Sequence, residues 1–308
     1  MILDVPNSGV ALAVNQITRD KGKALLVSGA ATADLTGKAC SPNTIHWTYD
    51  TWALANGTGN AIVKTGGDTW FFITADYAFG HALERDVEAV VHQNGGKVLG
   101  KVRHPLNTAD FSSFLLQAQA SKAKIVGLAN AGGDTTNSIK QAAEFGIVKG
   151  GQSLAGLLVF ITDVHGLGLP TAQGLIFTET FYWDLNDKTR AFAKRFAERD
   201  KGIHPTMIHA GVYSAVLHYL EGGGGAQERR RDQGHRQDEG DAHRRSALRQ
   251  GHHPGGRPED PSRVPRGSEE AGGVEGALGL LQDSRDHSRR AGLPASRSGR
   301  VPAGEEVA

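Results

Sequence analysis

Up to about residue 220, short apolar runs alternate with longer stretches in which apolar residues recur every three or four positions. The first pattern is typical of buried strands and the second of amphipathic helices. The predicted strands span residues 2–5, 24–27, 69–74, 97–102, 125–129, 157–161 and 175–178. The predicted helices span residues 8–20, 51–65, 80–93, 111–120, 135–145, 187–200 and 206–220. Strands that alternate with helices of this length predict right-handed βαβ units, and so an α/β fold with parallel sheets.

Three glycines mark predicted helix ends. Gly22, Gly95 and Gly146 follow helices at the position where the chain favours a left-handed residue. We therefore expect a positive φ at each of them.

The composition changes abruptly at Leu220. Every aromatic residue lies at or before Tyr219, all 13 lysines lie at or before Lys201, and 15 of the 21 arginines lie after Leu220. A segment without large apolar side chains cannot offset its ordering entropy. Residues 222–308 are therefore predicted to be a low-complexity, disordered tail, and the net charge of +1 averages two unlike segments.

We interpret this tail as the product of a shifted reading frame. Permitted codons for residues 233–245 (QGHRQDEGDAHRR), read from one base in, spell KATGKMKATPIDD, which contains the Lys, Ile, Thr and Met that the tail lacks. The alternative is an arginine-rich arm that binds nucleic acid or anions. The many Asp and Glu residues among the arginines argue against it. We therefore expect no nucleic-acid partner.

Several classes of protein find no support in the sequence. The single cysteine, Cys40, excludes an intramolecular disulfide, and no stretch approaches the roughly 20 apolar residues of a membrane span. The first residues, MILDVPNSG, lack the basic and long apolar regions of a signal peptide, and they match a strand followed by a helix start. We expect that opening strands are missing. Because no hydrolase, nucleotide-binding or zinc motif occurs, we expect no catalytic residues, metal or cofactor.

Three junctions between a predicted strand and the following segment are rich in small and hydroxyl residues. They span residues 6–9, 28–32 and 130–135. In open α/β sheets, ligands bind outside the carboxyl ends of strands, where small side chains expose backbone amides. The Ser8 and Thr32 hydroxyls could donate hydrogen bonds to a carboxylate. The alternative is that Ser8 and Asp134 only cap their helices.

Further candidates follow two other strand ends. Asp163 could pair with a ligand ammonium, or it could be a cap or turn aspartate, and the neighbouring His165 fits a surface position better than a metal site. Tyr77 and Phe79 could form an apolar wall for a ligand, or they could pack at a loop edge.

Six stretches of residues 1–220 together resemble the type I periplasmic solute-binding proteins of the branched-chain amino acid transport group, the relatives of leucine/isoleucine/valine-binding protein. The stretches are DVPNSGVALAVNQI, LLVSGAATADLTG, FFITADYAFG, ANAGGDTTNSIKQAAEFG, TETFYWDLND and HAGVYSAV. The resemblance implies two α/β lobes joined by three crossovers, with a solute in the cleft between them. Independently, the strand pattern changes at residues 64–68 and 179–184, which are natural positions for two of the crossovers. The expected divisions are 1–66 (part of lobe 1), 67–182 (lobe 2), 183–221 (return to lobe 1) and 222–308 (tail).

The resemblance also implies a set of ligand-binding residues. They are Ser8, Ala30, Ala31, Thr32, Tyr77, Phe79, Asn130 and Asp163. Asp163 stands where leucine binders carry a glutamate, and Asn130 stands where they carry an aromatic residue. The aspartate argues against a leucine-type ligand, and the DVPNS and TADYAFG stretches resemble a branch of the family whose ligands include small aromatic and other organic acids. The expected solute is therefore a small amino acid or a related carboxylate, aromatic acids included.

The function implied by the resemblance is that of the solute-binding component of an ABC importer. The partners would be a small carboxylate-bearing solute and a membrane permease, and the parent protein would be periplasmic. The alternative is a ligand-sensing receptor or regulator domain of the same fold. Permease genes beside this one would favour transport, whereas an adjacent regulator would favour sensing.

Overall fold

The computed structural model describes residues 1–224 as two parallel sheets covered by helices. The first sheet has the order β1-β2-β3, with β1 at Ile2–Leu3, β2 at Leu25–Val27 and β3 at Thr44–His46. The second has the order β5-β4-β6-β7, with β4 at Thr69–Ala75, β5 at Lys97–His104, β6 at Ile125–Ala129 and β7 at Ser153–Gly156. All five strand pairs in these sheets are parallel, which confirms the predicted fold class. The tail from residue 225 onward, with its predicted disorder, lies outside the described residues.

Nine α-helical segments accompany the sheets in the described part of the chain. They are α1 (Ser8–Asp20), α2 (Thr51–Leu54), α3 (Asn60–Lys64), α4 (Ala78–Gln93), α5 (Ser112–Ser121), α6 (Gly133–Glu144), α7 (Ile161–Leu167), α8 (Asp187–Ala197) and α9 (Met207–Tyr219). A π-helical turn, Ala55–Gly59, joins α2 to α3, so the predicted helix over residues 51–65 is one helical segment with a π-bulge. None of the helices within residues 1–224 combines the length and apolarity that crossing a bilayer requires.

The three predicted glycine positions are confirmed. Gly22, Gly95 and Gly146 have φ values of 58°, 80° and 68°. A side chain is disfavoured in this left-handed region, which glycine enters without a steric cost.

The second sheet contributes both of its faces to apolar clusters. Along β4, Trp70 and Phe72 enter one cluster, while Phe71 and Ile73 enter the other. This alternation follows from the two-residue period of a strand. The first sheet has a smaller cluster, whose buried members are Ala11, Leu25, Val27, Ala30 and Leu35.

The α2–α3 segment precedes the second sheet in sequence but packs against it. The Thr58 and Thr178 hydroxyl oxygens lie 2.7 Å apart. A Cβ on Gly57 would stand 2.8 Å from the Thr178 side chain, so only glycine allows this approach. The helical segment, which follows β3 of the first sheet, is therefore held by residues that follow β7 of the second sheet. The predicted division at residue 66 stays a prediction.

Two predicted strands are wrong, and two strands were not predicted. Residues 157–161 are apolar and mostly buried, but the ladder ends at Gly156 and α7 begins at Ile161. Residues 175–178 form only one isolated bridge, between Ala155 and Ile176. β3 is three residues long and none of them is buried, while β7 lies directly before the apolar run that was predicted as a strand. Only pairing with a neighbour defines these two strands.

Candidate functional site

The first two predicted junctions meet at the carboxyl ends of β1 and β2. Ser8 is fully buried at the start of α1, and its Oγ accepts a hydrogen bond of 3.2 Å from the Thr32 backbone N–H. The cap of α1 is Asn7, whose Oδ1 accepts from the Val10 N–H at 3.1 Å, so the capping alternative for Ser8 is wrong. An accepting hydroxyl still has its own proton to donate. The proton of the Ser8 hydroxyl is therefore not used in this bond, and its donation to a solute carboxylate stays a prediction. We call Ser8 and residues 30–32 the cradle.

The Thr32 hydroxyl has a local role as well. Its Oγ1 accepts from the Asp34 N–H at 3.3 Å and caps the short 3₁₀ helix Ala33–Leu35. Ala30, Ala31 and Thr32 are all buried. A contact between these residues and a solute stays a prediction.

Asp4 shows that backbone amides at this sheet edge bind a carboxylate. Its Oδ1 accepts from the Gly29 N–H at 2.7 Å and lies 3.4 Å from the Ser28 nitrogen. Asp4 has a φ of 47°, an uncommon value for a residue with a side chain, although aspartate tolerates it better than most. No local sequence pattern marks Asp4 as part of the site, because its contact joins the ends of two strands through residues 25 positions apart.

We call residues 1–50, around β1–β3, the first-sheet region and residues 69–178, around β4–β7, the second-sheet region. Ala31 of the cradle shares an apolar cluster with Tyr49 and Phe79, and Tyr77 packs against that cluster. Phe79 is buried in the first turn of α4, and its ring centroid is 5.8 Å from that of the half-buried Tyr77. Tyr49, which the sequence analysis missed, is buried and donates to the Gly29 carbonyl at 3.3 Å. Burial raises the pKa of Tyr77 to about 12, with a smaller contribution from the charge of Asp134. Burial, followed by Asp4 and then Tyr77, raises the pKa of Tyr49, so both phenols keep their protons at neutral pH.

Gly80 explains the glycine that ends the TADYAFG stretch. A Cβ at this position would collide with the Ala75 carbonyl. The start of α4 therefore lies directly against the carboxyl end of β4, which brings Tyr77 and Phe79 to the sheet edge where ligands bind in such folds.

Two carboxyl groups bind neighbouring backbone amides at the start of α7. Asp163 Oδ2 accepts from the Phe160 N–H at 2.9 Å, and Glu179 Oε1 accepts from the Ile161 N–H at 2.7 Å. Burial raises the pKa of Asp163, and the hydrogen bond from the Phe160 N–H lowers it by a smaller amount. Burial, opposed by the Ile161 bond and reinforced by Asp163, raises the pKa of Glu179 to about 7. The sequence analysis missed Glu179.

The hydrogen bond from the Phe160 N–H to Asp163 is one that caps the start of α7, as the alternative interpretation of Asp163 predicted. Asp163 also lines a depression of about 210 Å³ with residues of α6 and α7. Its pairing with a solute ammonium stays a prediction, and His165 beside it is exposed.

In the third junction, residues 130–135, the Asn130 side chain already has hydrogen-bond partners within the protein. Asn130 is fully buried, its Oδ1 accepts from the Thr135 hydroxyl at 2.7 Å, and its Nδ2 lies 3.2 Å from His104 Nε2. A solute contact at Asn130 stays a prediction that this geometry disfavours. Asp134 does not cap α6, because its carboxylate accepts from the backbone N–H groups of Asn107 and Thr108 at 3.2 and 2.8 Å.

No group of three or more metal-ligating side chains occurs in the part of the chain that the structure describes.

Comparison with known proteins identifies the family of this chain. A curated relative, the Leu/Ile/Val-binding protein homolog 6 of Brucella melitensis, is 26% identical over 196 residues, which are 63% of this chain and 49% of the relative. The chain thus spans about half the length of the curated relatives it matches.

Solved structures give closer matches. A periplasmic binding protein from Burkholderia mallei is 52% identical, with a TM-score of 0.73, over 76% of this chain and 62% of that one. A branched-chain amino acid ABC transporter ligand-binding protein from Burkholderia xenovorans is 36% identical, with a TM-score of 0.67, over 77% of this chain and 63% of that one. Residues 1–252 match the family described as periplasmic binding protein. The chain belongs to the periplasmic binding protein family, and its relatives include a Leu/Ile/Val-binding protein homolog and a branched-chain amino acid ABC transporter ligand-binding protein.

Proposed function

We propose that the parent protein binds a small carboxylate-bearing solute between two lobes, one built on each sheet, and delivers it to the permease of an ABC importer in the periplasm. The observation that carries this proposal is the 3.2 Å contact of the Ser8 Oγ with the Thr32 N–H. It brings two junctions of small and hydroxyl residues together at the carboxyl edge of the first sheet. The solute is bound and released without a reaction.

The proposed mechanism is closure of the cleft around the solute. The cradle binds the carboxylate through the Ser8 hydroxyl, while Tyr77 and Phe79 from the second-sheet region contact the apolar part of the solute. A ligand that touches both lobes binds the closed state better and so shifts the population toward it.

The aromatic residues support an aromatic acid as one solute class. Tyr49, from the first-sheet region, belongs to an apolar cluster against which Tyr77, from the second-sheet region, packs. Tyr77 also contributes to the raised pKa of Tyr49, after burial and Asp4. A more distant neighbour of the same fold, a solute-binding protein from R. palustris, is 23% identical and was crystallised with benzoate. We therefore include benzoate among the probes.

A thermal-shift screen tests the proposal. The probes are benzoate, 4-hydroxybenzoate, L-leucine and L-phenylalanine. A probe at 100 times its Kd should stabilise the protein by about 2.7 kcal/mol. Ser8→Ala should weaken binding of that probe by about tenfold, because a donor to the carboxylate is lost. The control is Ser113→Ala, at an exposed position on α5. Equal affinity in the two variants would remove Ser8 from the site, and turnover of a bound probe would exclude a pure binding role.

A further inference from the structure

One residue, Thr51, holds the backbone on both sides of Thr32. The Thr51 N–H donates to the Ala31 carbonyl at 2.7 Å, and the Ala33 N–H donates to the Thr51 Oγ1 at 3.0 Å. Thr51 is fully buried at the start of α2. Two bonds from one residue therefore fix the peptide groups that flank Thr32 in the cradle.

The hydroxyl of Thr51 is itself oriented by the second-sheet region. It donates to Asp86 Oδ2 at 2.5 Å, and Asp86 lies on α4. Because the single hydroxyl proton is used by Asp86, the lone pairs of Oγ1 remain for the Ala33 N–H. Replacing the Asp86 carboxylate would let this hydroxyl rotate.

Two ion pairs of Arg85 connect Asp86 on α4 to Asp34, which lies two residues after Thr32 of the cradle. Arg85 Nε donates to Asp86 Oδ1 at 2.8 Å, and Arg85 Nη1 donates to Asp34 Oδ1 at 3.1 Å. The Asp34 N–H in turn donates to the Thr32 hydroxyl oxygen. Burial opposes ionisation of Asp34, but the bond to Lys38 and the charge of Arg85 hold its pKa below the ordinary value. The bond to Asp86 is the main reason that the pKa of Arg85 is raised.

We infer that Thr51, Asp86 and Arg85 are positioning residues that make the geometry of the cradle depend on α4. None of the three lies in the cradle, and two of them belong to the opposite sheet region. Solute affinity and the order of the Ala33 and Asp34 amides are therefore coupled to the contact between α4 and the first-sheet region. Since such coupling is reciprocal, a bound solute strengthens the same contact. The coupling to affinity rests on the proposed function, whereas the ordering of the two amides does not.

Hydrogen exchange at the amides of Ala33 and Asp34 tests the inference without any ligand. We expect Asp86→Ala to speed exchange at both amides by about tenfold, since one buried hydrogen bond to Ala33 loses its orientation. Asp86→Asn, which keeps an acceptor for the Thr51 hydroxyl, should have a smaller effect. Thr51→Val should match Asp86→Ala, and Thr51→Ser should restore the slow exchange of the parent.

The matched control is Glu88→Ala. Glu88 lies on the same helix, carries the same charge and pairs with Lys101 at 3.0 Å, away from the cradle. Equal exchange rates in Asp86→Ala and Glu88→Ala would overturn the inference, as would a Thr51→Ser variant that behaves like Thr51→Val.

Calorimetric titration with the four probes separates this inference from the proposed function. Asp86→Ala should weaken binding of a probe by about five- to tenfold, with Glu88→Ala unchanged. If the two amides respond as expected but no probe binds, the positioning role stands and the proposed function fails. If a probe binds Asp86→Ala and the parent equally well, the coupling to affinity is wrong.

Discussion

The two sheet regions differ in the length of their strands and in the size of their apolar clusters. The first sheet has strands of two or three residues and one small apolar cluster. The second has strands of four to eight residues between two larger clusters. Since buried apolar area is the main favourable term in folding, the second region should carry most of the stability of the described chain.

The proposed recognition site lies on the side with the smaller apolar core. The cradle belongs to the first-sheet region, yet its backbone is held by Thr51, whose hydroxyl is oriented by Asp86 of α4. The backbone of the first-sheet region is thus held in part by contacts with the second-sheet region. A site built this way can change its geometry when the two regions move apart, which suits a protein that closes on a solute.

The largest expected effect is a loss of unfolding free energy, which we compare between the apolar clusters of the two sheet regions. Phe72→Ala removes a fully buried ring stacked beside Trp70 at 5.7 Å, and should lower the free energy of unfolding by about 3–5 kcal/mol. Leu35→Ala in the first cluster should cost about 2 kcal/mol, because a small core can relax into the cavity. Urea unfolding of both variants measures the difference. A larger loss for Leu35→Ala would reverse the comparison.

The next effect concerns Glu179. Its pKa of about 7 in the folded protein lies above the ordinary 4.5, so the folded state binds the proton more tightly than the unfolded state. The contribution favours folding at low pH and is lost as the pH rises from about 4.5 to 7. Glu179→Gln, which keeps an acceptor for the Ile161 N–H, should therefore stabilise the protein at pH 8 by up to about 3 kcal/mol.

The measurement is the free energy of unfolding of parent and variant between pH 4 and pH 8. The two curves should converge near pH 4. Asp68→Asn is the control, because Asp68 is exposed and its carboxyl pairs with Lys124 at the surface. A constant difference between the Glu179 variant and the parent at all pH values would show that the carboxyl does not titrate in this range.

Local chemistry explains which parts the sequence could predict. The predicted bounds of α1 and β6 match the structure, since Asn7 caps the helix and five buried residues form the strand. The meeting of Ser8 with Thr32 followed from small and hydroxyl residues at two strand ends. Asp4, Tyr49 and Glu179 were missed because their contacts join residues 18 to 25 positions apart, and no local pattern encodes such pairs.

A smaller effect concerns the bond between the α2–α3 segment and the second-sheet region. Thr58→Val keeps the shape of the side chain but removes the bond to the Thr178 hydroxyl, and should cost about 1–2 kcal/mol. Thr65→Val, at the end of the same segment, is the control, because its hydroxyl bonds only backbone carbonyls nearby. Thermal unfolding measures both variants. If Thr58→Val were neutral, packing rather than this bond would hold the segment.

The smallest effect separates the two phenols near the cradle. Tyr49→Phe loses the hydrogen bond to Gly29 and should cost about 0.5–1 kcal/mol at pH 7. Above pH 10 the order should reverse, because a phenol whose folded pKa is raised destabilises the folded state once the unfolded chain ionises. Tyr77→Phe should show the same alkaline gain, since its pKa of about 12 exceeds the ordinary 10, without the loss of a bond to the first sheet. Unfolding of both variants between pH 7 and pH 11 tests this. A Tyr49→Phe variant that stayed less stable at every pH would mean that its phenol is solvated, and that the first-sheet region is looser around the cradle than the structure shows.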